Sequence, residues 1–196
     1  GLGIIDKRSW IFEMSEEMSI NKNTAENSAH EPLRTAVRRV NEWDGPSMLK
    51  VYSAYTGTTC APEAQPPKLP DYVQRIDKYT YGLGWLLCEL NNQTAGFCHL
   101  TENRHDPENL FSVEFQLYVR EGLHRKGIGL ALWSLMRDMM EVGSRREVFS
   151  RVHKDNLPAL KFFHAMGFSE DSREEDLIVL RYELTPEGKD AQRPTK

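Results

Sequence analysis

Several features are scarce or absent in this sequence, and each absence excludes a class of protein. The chain has only 3 cysteines (Cys60, Cys88 and Cys98), and their spacing suits neither a metal site nor a disulfide scaffold. No apolar run approaches the roughly 18 residues of a membrane span, and the start lacks the apolar core of a signal peptide. We therefore expect reduced thiols and a protein of the nucleus and cytoplasm, with no membrane partner.

An excess of charge of one sign is also lacking. The formal net charge is −4, which gives no general attraction to nucleic acid or to anionic lipid. The hydrophobic fraction of 39% is near the globular norm, and 196 residues suffice for one domain. We expect a monomer with its domain over residues 31–185. A polar arm at 1–30, partly disordered or peripheral, and a disordered tail at 186–196 are expected to flank it.

The N-terminal half carries the weaker structural signals. Apolar residues at 33, 37 and 40 recur near helical spacing and predict a helix over Leu33–Trp43. A second short helix is expected over Ser47–Tyr55, starting near Gly45. Four prolines predict an irregular loop over Cys60–Pro70.

From Trp85 onward, strand and helix signals follow one another. Alternating and apolar runs predict strands at residues 85–90, 94–100, 110–119, 147–152 and 177–184, the first two joined by a turn at 91–92. Helical spacing predicts helices at residues 127–142 and 157–165. This order predicts an α/β or α+β sandwich with a mixed sheet.

A candidate anion site lies between the third predicted strand and the next helix, in the segment Arg125-Lys126-Gly127-Ile128-Gly129-Leu130. Glycines let backbone N–H groups turn toward a pyrophosphate, and a helix N-terminus adds partial positive charge. The two cations add further attraction. By itself, however, a G-x-G after a strand is also compatible with a simple tight turn into a helix.

A second motif supports the first. The segment from Asn156 to Phe168 (NLPALKFFHAMGF) resembles the N-x-x-A-x-x-F-[YF]-x-x-x-G-F signature that ends the core of the GNAT superfamily. The resemblance covers about Trp85 to Leu184. It implies a GNAT fold, which is a mixed, mostly antiparallel sheet with a splayed central strand pair and flanking helices. It also implies acetyl-CoA as cofactor, with coenzyme A as product.

The resemblance further implies which residues bind that cofactor. The backbone of Leu117, Tyr118 and Val119 would pair with the pantetheine arm, and the Arg125–Leu130 loop would hold the pyrophosphate. Asn156 and Phe163 would approach the cofactor from the following helix. Many members of the superfamily carry a tyrosine at the position of Phe163, where it protonates the leaving thiolate. A phenyl ring cannot donate a proton.

A base is also required, because only a neutral amine attacks a thioester. Glu114 shares one face of its strand with Gln116, while Val113 and Phe115 occupy the other face. Its carboxylate is either exposed on a polar face or aimed into the cleft. We favour the role of general base, since this strand lines the acetyl site in the resembled fold.

A closer resemblance concerns the acceptor. The segments VEFQL (113–117), RKGIG (125–129) and VHKDN (152–156) resemble the NatD family of N-alpha-acetyltransferases, which is dedicated to histones beginning Ser-Gly-Arg-Gly. That family also has phenylalanine where Phe163 stands, and it uses a glutamate at the position of Glu114 as its base. The implied activity is acetylation of a protein N-terminal amine, with a histone tail as partner.

Acidic residues before the catalytic strand select the substrate arginine in that family. Here Glu102, Asp106 or Glu108 could fill this role, although a solvated loop would carry such residues as well. Phe111 and Tyr52 are candidates for the walls of the peptide pocket.

Two other functions are compatible with the sequence. A GNAT enzyme for a small amine, such as a polyamine or amino sugar, would use the same acidic residues. A catalytically weak acetyl-CoA-binding module that works through a partner is supported only by Phe163. Chemistry favours an α-amine, whose pKa near 7.7–8.0 leaves about a tenth of it neutral at pH 7, whereas that of lysine is about 10.4.

Overall fold

The computed structural model describes residues 34–80 and 83–184, so the predictions for residues 1–30 and 186–196 lie outside it. Its strands are β1 (Thr35–Arg39), β2 (Trp85–Leu90), β3 (Gln93–Glu102), β4 (Ser112–Val119), β5 (Glu147–His153), β6 (Ser169–Glu174) and β7 (Leu177–Glu183). Its helices are α1 (Gly45–Ser53), α2 (Leu69–Thr80), α3 (Ile128–Val142) and α4 (Leu157–Ala165). The strands form one sheet in the order β1-β2-β3-β4-β5-β7-β6.

The central strands β4 and β5 separate partway along their length. They are the parallel pair of the sheet, and their pairing runs only from Ser112 opposite Glu147 to Glu114 opposite Phe149. Beyond that point β4 stays paired with β3 as far as Val119, and β5 stays paired with β7. The predicted mixed sheet with a splayed central pair is therefore confirmed, and the gap between the two strands opens beside Glu114.

Each face of the sheet is covered by its own helices. Because side chains alternate along a strand, Val113 and Phe115 of β4 join the apolar core beneath α3 and α4. Tyr118 of β4 points to the other face, into an aromatic cluster beneath α1 and α2. Glu114 shares that second face, because it is two residues from Gln116 and four from Tyr118.

Three elements differ from the sequence-based expectation. The helix predicted over Leu33–Trp43 is wrong for the described residues, because Thr35–Arg39 adds strand β1 to the edge of β2. Helix α2 was missed, since the proline-rich loop ends at Leu69 and Pro70 already lies in the first helical turn. Strand β6 was missed because all of its residues are polar and most are exposed, so it shows no apolar alternation.

The remaining predicted elements of the C-terminal half are confirmed within a residue or two at most ends. The hairpin turn at Asn91 and Asn92 has both residues at positive φ, 51° and 62°, as tight hairpin turns require. In the part of the chain that is described, no helix combines the length and the apolar character needed to cross a membrane.

Candidate active site

Glu114 is a buried carboxylate whose two oxygens differ in their surroundings. Its side chain is 6% exposed. Oε1 accepts hydrogen bonds from the backbone N–H of Arg104 at 3.0 Å and from the guanidinium of Arg151. Oε2 accepts a longer bond of 3.3 Å from Arg104, whose side chain is 51% exposed. The carboxylate is thus held through Oε1, while Oε2 is the oxygen that a substrate can reach by displacing an exposed side chain.

Arg151 extends this contact into a network across three strands. Its side chain is 6% exposed, and its Nε lies 3.2 Å from Oε2 of Glu174. Oε1 of Glu174 lies 2.6 Å from Nε2 of His105. The hydrogen bond from Arg151, followed by that with His105, lowers the pKa of Glu174. The network ties the loop after β3 to β4, β5 and β6, so it fixes the position of Glu114.

Sequence reasoning missed Arg104, Arg151 and Glu174. Arg151 could have been identified from the sequence. Strand β5 buries alternate residues, so the arginine between two of them lies on the same face of the sheet as Glu114. Glu174 carried no such signal, since β6 has no apolar alternation that would indicate a strand. Among the residues that the structure describes, no group of three or more His, Cys, Asp or Glu side chains is placed to hold a metal ion.

The predicted anion loop has the backbone that such a site requires. Gly127 caps helix α3 at φ 77°, a left-handed conformation that favours glycine, and provides no side-chain cap. The first N–H groups of a 15-residue helix are therefore left for a ligand. Arg125 and Lys126 are exposed beside them.

Gly129, the second glycine of the loop, is required for close packing rather than for a left-handed backbone. A Cβ on Gly129 would lie 3.2 Å from the ring of Phe162 and 3.3 Å from the side chain of Leu117. Gly129 therefore lets the first turn of α3 approach both α4 and β4. Ile128 is buried in the core, whereas Leu130 is 44% exposed.

Backbone groups of β4 face the gap between the splayed strands. The N–H of Arg120 donates to Ala95 on β3, so by alternation the groups of Leu117 and Val119 point toward β5. The Val119 carbonyl already accepts a bond from the hydroxyl of Tyr55. Tyr118 differs from its neighbours, because its backbone points to β3 and its ring is buried beneath α1.

Asn156 and Phe163 have structural roles in α4. The Asn156 side chain accepts from the N–H of Ala159 at 3.4 Å and so caps the helix. Phe163 is 6% exposed and packs edge-on against Phe115 and Phe168, with ring centroids 6.2 and 5.0 Å apart. It lies on the face of the sheet opposite to Glu114 and cannot supply a proton.

The predicted acidic residues do not share one surface. Glu102 is paired with Val113, so it faces away from Glu114. Asp106 and Glu108 are exposed in the loop beside the Glu174 network, where Asp106 accepts a bond from Asn109 at 3.0 Å. Phe111 is 48% exposed and packs under the guanidinium of Arg146, 4.6 Å from the ring centroid.

A cavity of about 270 Å³ opens on the same face as Glu114, between helices α1 and α2 and strands β2–β4. Gln116 and Thr101 line it, and Thr101 is the residue paired with Glu114. In its wall, Glu63 accepts bonds from the Tyr52 hydroxyl at 2.7 Å and from Arg75 at 2.6 and 2.9 Å. Tyr52 therefore lines a pocket. Its hydroxyl is held there by the charge pair of Glu63 and Arg75, which the sequence did not reveal.

The cavity, the gap and the loop together suit a nucleotide thioester. The gap offers backbone groups at the position where a pantetheine arm would pair, and the α3 N-terminus with its two cations suits a pyrophosphate. The cavity lies on the same face of the sheet as Glu114, on the side of β4 that pairs with β3, and would receive the acceptor. The described residues therefore fit acetyl-CoA.

Comparisons with known proteins agree with this fit. The model of the Acetyltransferase (GNAT) family matches residues 48–168, which is more than half of the chain. YncA of Salmonella typhimurium, whose structure contains its cofactor acetyl-CoA, is similar with TM-score 0.71 and 16% identity, over 79% of this chain and 96% of that one. A phosphinothricin acetyltransferase of Sinorhizobium meliloti in complex with acetyl-CoA is similar with TM-score 0.71 and 19% identity, over 83% and 94%.

A third similar structure is named as an enzyme that acts on a protein. The ribosomal-protein-alanine N-acetyltransferase of Brucella melitensis has TM-score 0.70 and 18% identity, over 76% of this chain and 99% of that one. At these identities, the solved structures show a shared fold and do not by themselves show a shared acceptor.

Proposed function

The chain belongs to the GNAT family of acetyltransferases and has acetyl-CoA as its cofactor, and from this premise we propose that it acetylates the N-terminal amine of a protein. The acceptor we propose is a histone tail that begins Ser-Gly-Arg-Gly, in the nucleus or cytoplasm. One observation carries the proposal. The buried carboxylate of Glu114 lies where β4 and β5 separate, with Oε2 turned away from its fixed partner Arg151.

Acetyl-CoA supplies an acetyl thioester, whose carbon–sulfur bond breaks as the acceptor nitrogen bonds to the acetyl carbon. Glu114 takes the proton that this nitrogen loses, at Oε2, while Arg151 keeps Oε1 in place. Residue 163 is a phenylalanine and cannot protonate the departing thiolate, so the thiolate takes its proton from solvent. A thiolate is a tolerable leaving group near neutral pH, because an unperturbed thiol has a pKa of about 8.5.

The chain's own groups hold the cofactor in this scheme. Leu117 and the N–H of Val119 pair with the pantetheine amides in the gap. The first turn of α3, with Arg125 and Lys126, neutralises the pyrophosphate. With the cofactor held in this way, the thioester would lie near the point where the strands separate, and its proximity to Glu114 would lower the barrier.

A protein N-terminus suits this base better than a lysine side chain. An α-amine has a pKa near 7.7–8.0, so much of it is neutral near pH 7.5 without any help from the enzyme. Asp106 and Glu108, exposed in the loop next to the Glu114 network, support recognition of an arginine at the third position. The segments around Glu114 and Phe163 that resemble the NatD family support a histone as the acceptor.

A small amine is the second candidate, and the cavity near Glu114 favours it. A cavity of about 270 Å³ would hold a small molecule as readily as the start of a peptide. The phosphinothricin acetyltransferase among the similar folds bears the name of a small-molecule substrate.

Initial rates on four acceptors separate these functions. They are a Ser-Gly-Arg-Gly peptide with a free amine, the same peptide with a blocked N-terminus, its arginine-to-alanine variant, and spermidine. We expect the free peptide to react fastest and the blocked peptide to react poorly. The alanine variant should lose about tenfold to a hundredfold in kcat/KM, because charge-assisted hydrogen bonds contribute about 1.5–3 kcal/mol. Equal rates on free and blocked peptides would indicate a lysine acetyltransferase, and a faster rate on spermidine would favour the small amine.

A further inference from the structure

Three residues that line the cavity near Glu114 carry a buried polar atom that has no hydrogen-bond partner among the residues that the structure describes. These atoms are the hydroxyl of Tyr72, Nε1 of Trp85 and Nδ1 of His99. All three residues line the same cavity, and their exposed fractions are 3%, 4% and 8%. An unpaired buried polar group costs about 1–3 kcal/mol. The His99 side chain also has a hydrogen bond with Gln116, so the Tyr72 hydroxyl and the Trp85 indole nitrogen are the groups that indicate a site completed by something bound there.

The chemistry of these atoms defines what would complete the site. An indole nitrogen can only donate, so Trp85 requires an acceptor such as an oxygen atom. Burial raises the pKa of Tyr72, so its hydroxyl keeps its proton and can donate as well. Burial also lowers the pKa of His99 to about 3, so the imidazole is neutral at physiological pH. The cavity thus contributes hydrogen-bond donors but no unpaired charged group.

The one charged pair in the described cavity wall is already satisfied. Arg75 bonds both oxygens of Glu63, and Tyr52 donates to the same carboxylate. A charged ligand would have to lose its hydration without gaining an unpaired counter-charge, which is strongly unfavourable. The walls therefore disfavour ionised side chains of either sign.

The cavity is within reach of an amine that bonds to Glu114. Gln116 is two residues along β4 on the same face, a separation of about 7 Å. Thr101, which is paired with Glu114, lines the cavity mouth on the neighbouring strand. In a peptide, the first side chain is attached one carbon from the terminal nitrogen. An amine at Oε2 therefore places the first side chain at the mouth of the cavity.

We propose that this cavity binds the first residue of the acceptor and selects an uncharged side chain that carries an oxygen atom, through Trp85 and Tyr72. The proposal rests on N-terminal acetylation as the function. Serine, threonine and asparagine belong to this class. The cavity also has room for bridging water around the smallest of them.

The test uses matched peptides X-Gly-Arg-Gly that differ only at the first position. Threonine and valine have the same shape, so their ratio of kcat/KM isolates the hydroxyl; asparagine and aspartate isolate the charge. For the wild-type protein we expect a threonine-to-valine ratio of about ten, in line with a buried hydrogen bond, and a loss of at least about tenfold for aspartate.

The double variant Trp85→Phe/Tyr72→Phe removes both donors and keeps an aromatic ring at each position, although the phenyl ring at position 85 is smaller than the indole. Its threonine-to-valine ratio should fall to within about twofold of one. Tyr182→Phe is the control, since Tyr182 packs against Trp133 on the other face of the sheet and should leave the ratio unchanged. Thermal melting and acetyl-CoA affinity verify that each variant is folded.

A wild-type ratio near one would overturn the proposal without any variant, because the cavity would then hold only structural water. A high ratio that survives in a folded double variant would overturn the roles of Trp85 and Tyr72. If no free peptide reacts while spermidine does, N-terminal acetylation itself fails, and this outcome is distinct from the other two.

Discussion

Glu114, the last residue of β4 that is paired with β5, forms a buried ion pair with Arg151, which lies two residues beyond its own paired position on β5. Both side chains are 6% exposed. The gap between β4 and β5, where we propose that the cofactor binds, is therefore bounded by a fixed charge pair, and Arg151 is fixed in turn by Glu174. This arrangement gives the carboxylate one orientation, which a base must have if Oε2 is to meet the acceptor amine in place of Arg104.

Glu114→Gln should lower kcat by about a hundredfold or more, because the amide keeps the shape of the side chain but cannot take a proton. Affinity for acetyl-CoA, measured by calorimetry, should barely change. Glu170→Gln, on the exposed strand β6, serves as a matched control and should retain normal turnover. Near-normal turnover of a folded Glu114→Gln protein would mean that another group or water is the base.

Arg151→Ala should destabilise the protein by about 3–5 kcal/mol, since it leaves the buried carboxylate of Glu114 without its counter-charge. Urea denaturation measures this free energy of unfolding. Arg173→Ala breaks an exposed ion pair with Glu170 and should have no measurable effect. If both variants unfold at the wild-type urea concentration, the Arg151 network does not hold the site.

The double variant Arg125→Gln/Lys126→Gln should weaken acetyl-CoA binding by about tenfold, equivalent to about 1.4 kcal/mol. The loss should shrink as salt is added, because both side chains are exposed and salt screens their attraction to the pyrophosphate. Lys50→Gln on α1 is the control for a change in net charge. Unchanged calorimetric affinity at low salt would show that this loop does not bind the pyrophosphate.

Stability should decrease as the pH falls from 7.5 to 5, because of His99. Its pKa is about 3 in the folded protein, where burial opposes the charge, but about 6.5 when unfolded. Below pH 6.5 the unfolded state therefore binds more protons, and folding loses up to ~1.4 kcal/mol per pH unit.

Urea titrations at several pH values, compared between the wild type and His99→Gln, isolate this contribution. The variant should show a flatter dependence on pH, whatever its absolute stability. Carboxylates such as Glu174, whose pKa is lowered, titrate below about pH 4.3 and do not interfere in this range. Parallel pH profiles for the two proteins would contradict the assignment to His99.

Prediction from sequence worked best where the signal was local. The strands β2 to β4 and the helices α3 and α4 follow from apolar periodicity, and the α3 cap follows from glycine at 127. It worked least well for the sheet edges. The apolar spacing at Thr35–Arg39 predicts part of a helix, but in the structure this segment forms a strand because it pairs with β2. Strand β6 has no apolar residues, so no alternation indicates it.

The sequence by itself determined the family and the strand that carries Glu114, and it predicted the loop at 125–130, because each depends on residues close together along the chain. Only the tertiary structure decided what surrounds that carboxylate. Arg151 lies 37 residues away from it, and His99 and Tyr72 meet across a cavity formed by a strand and a helix. Burial and charge pairing are properties of residues that folding brings together, so no local pattern records them.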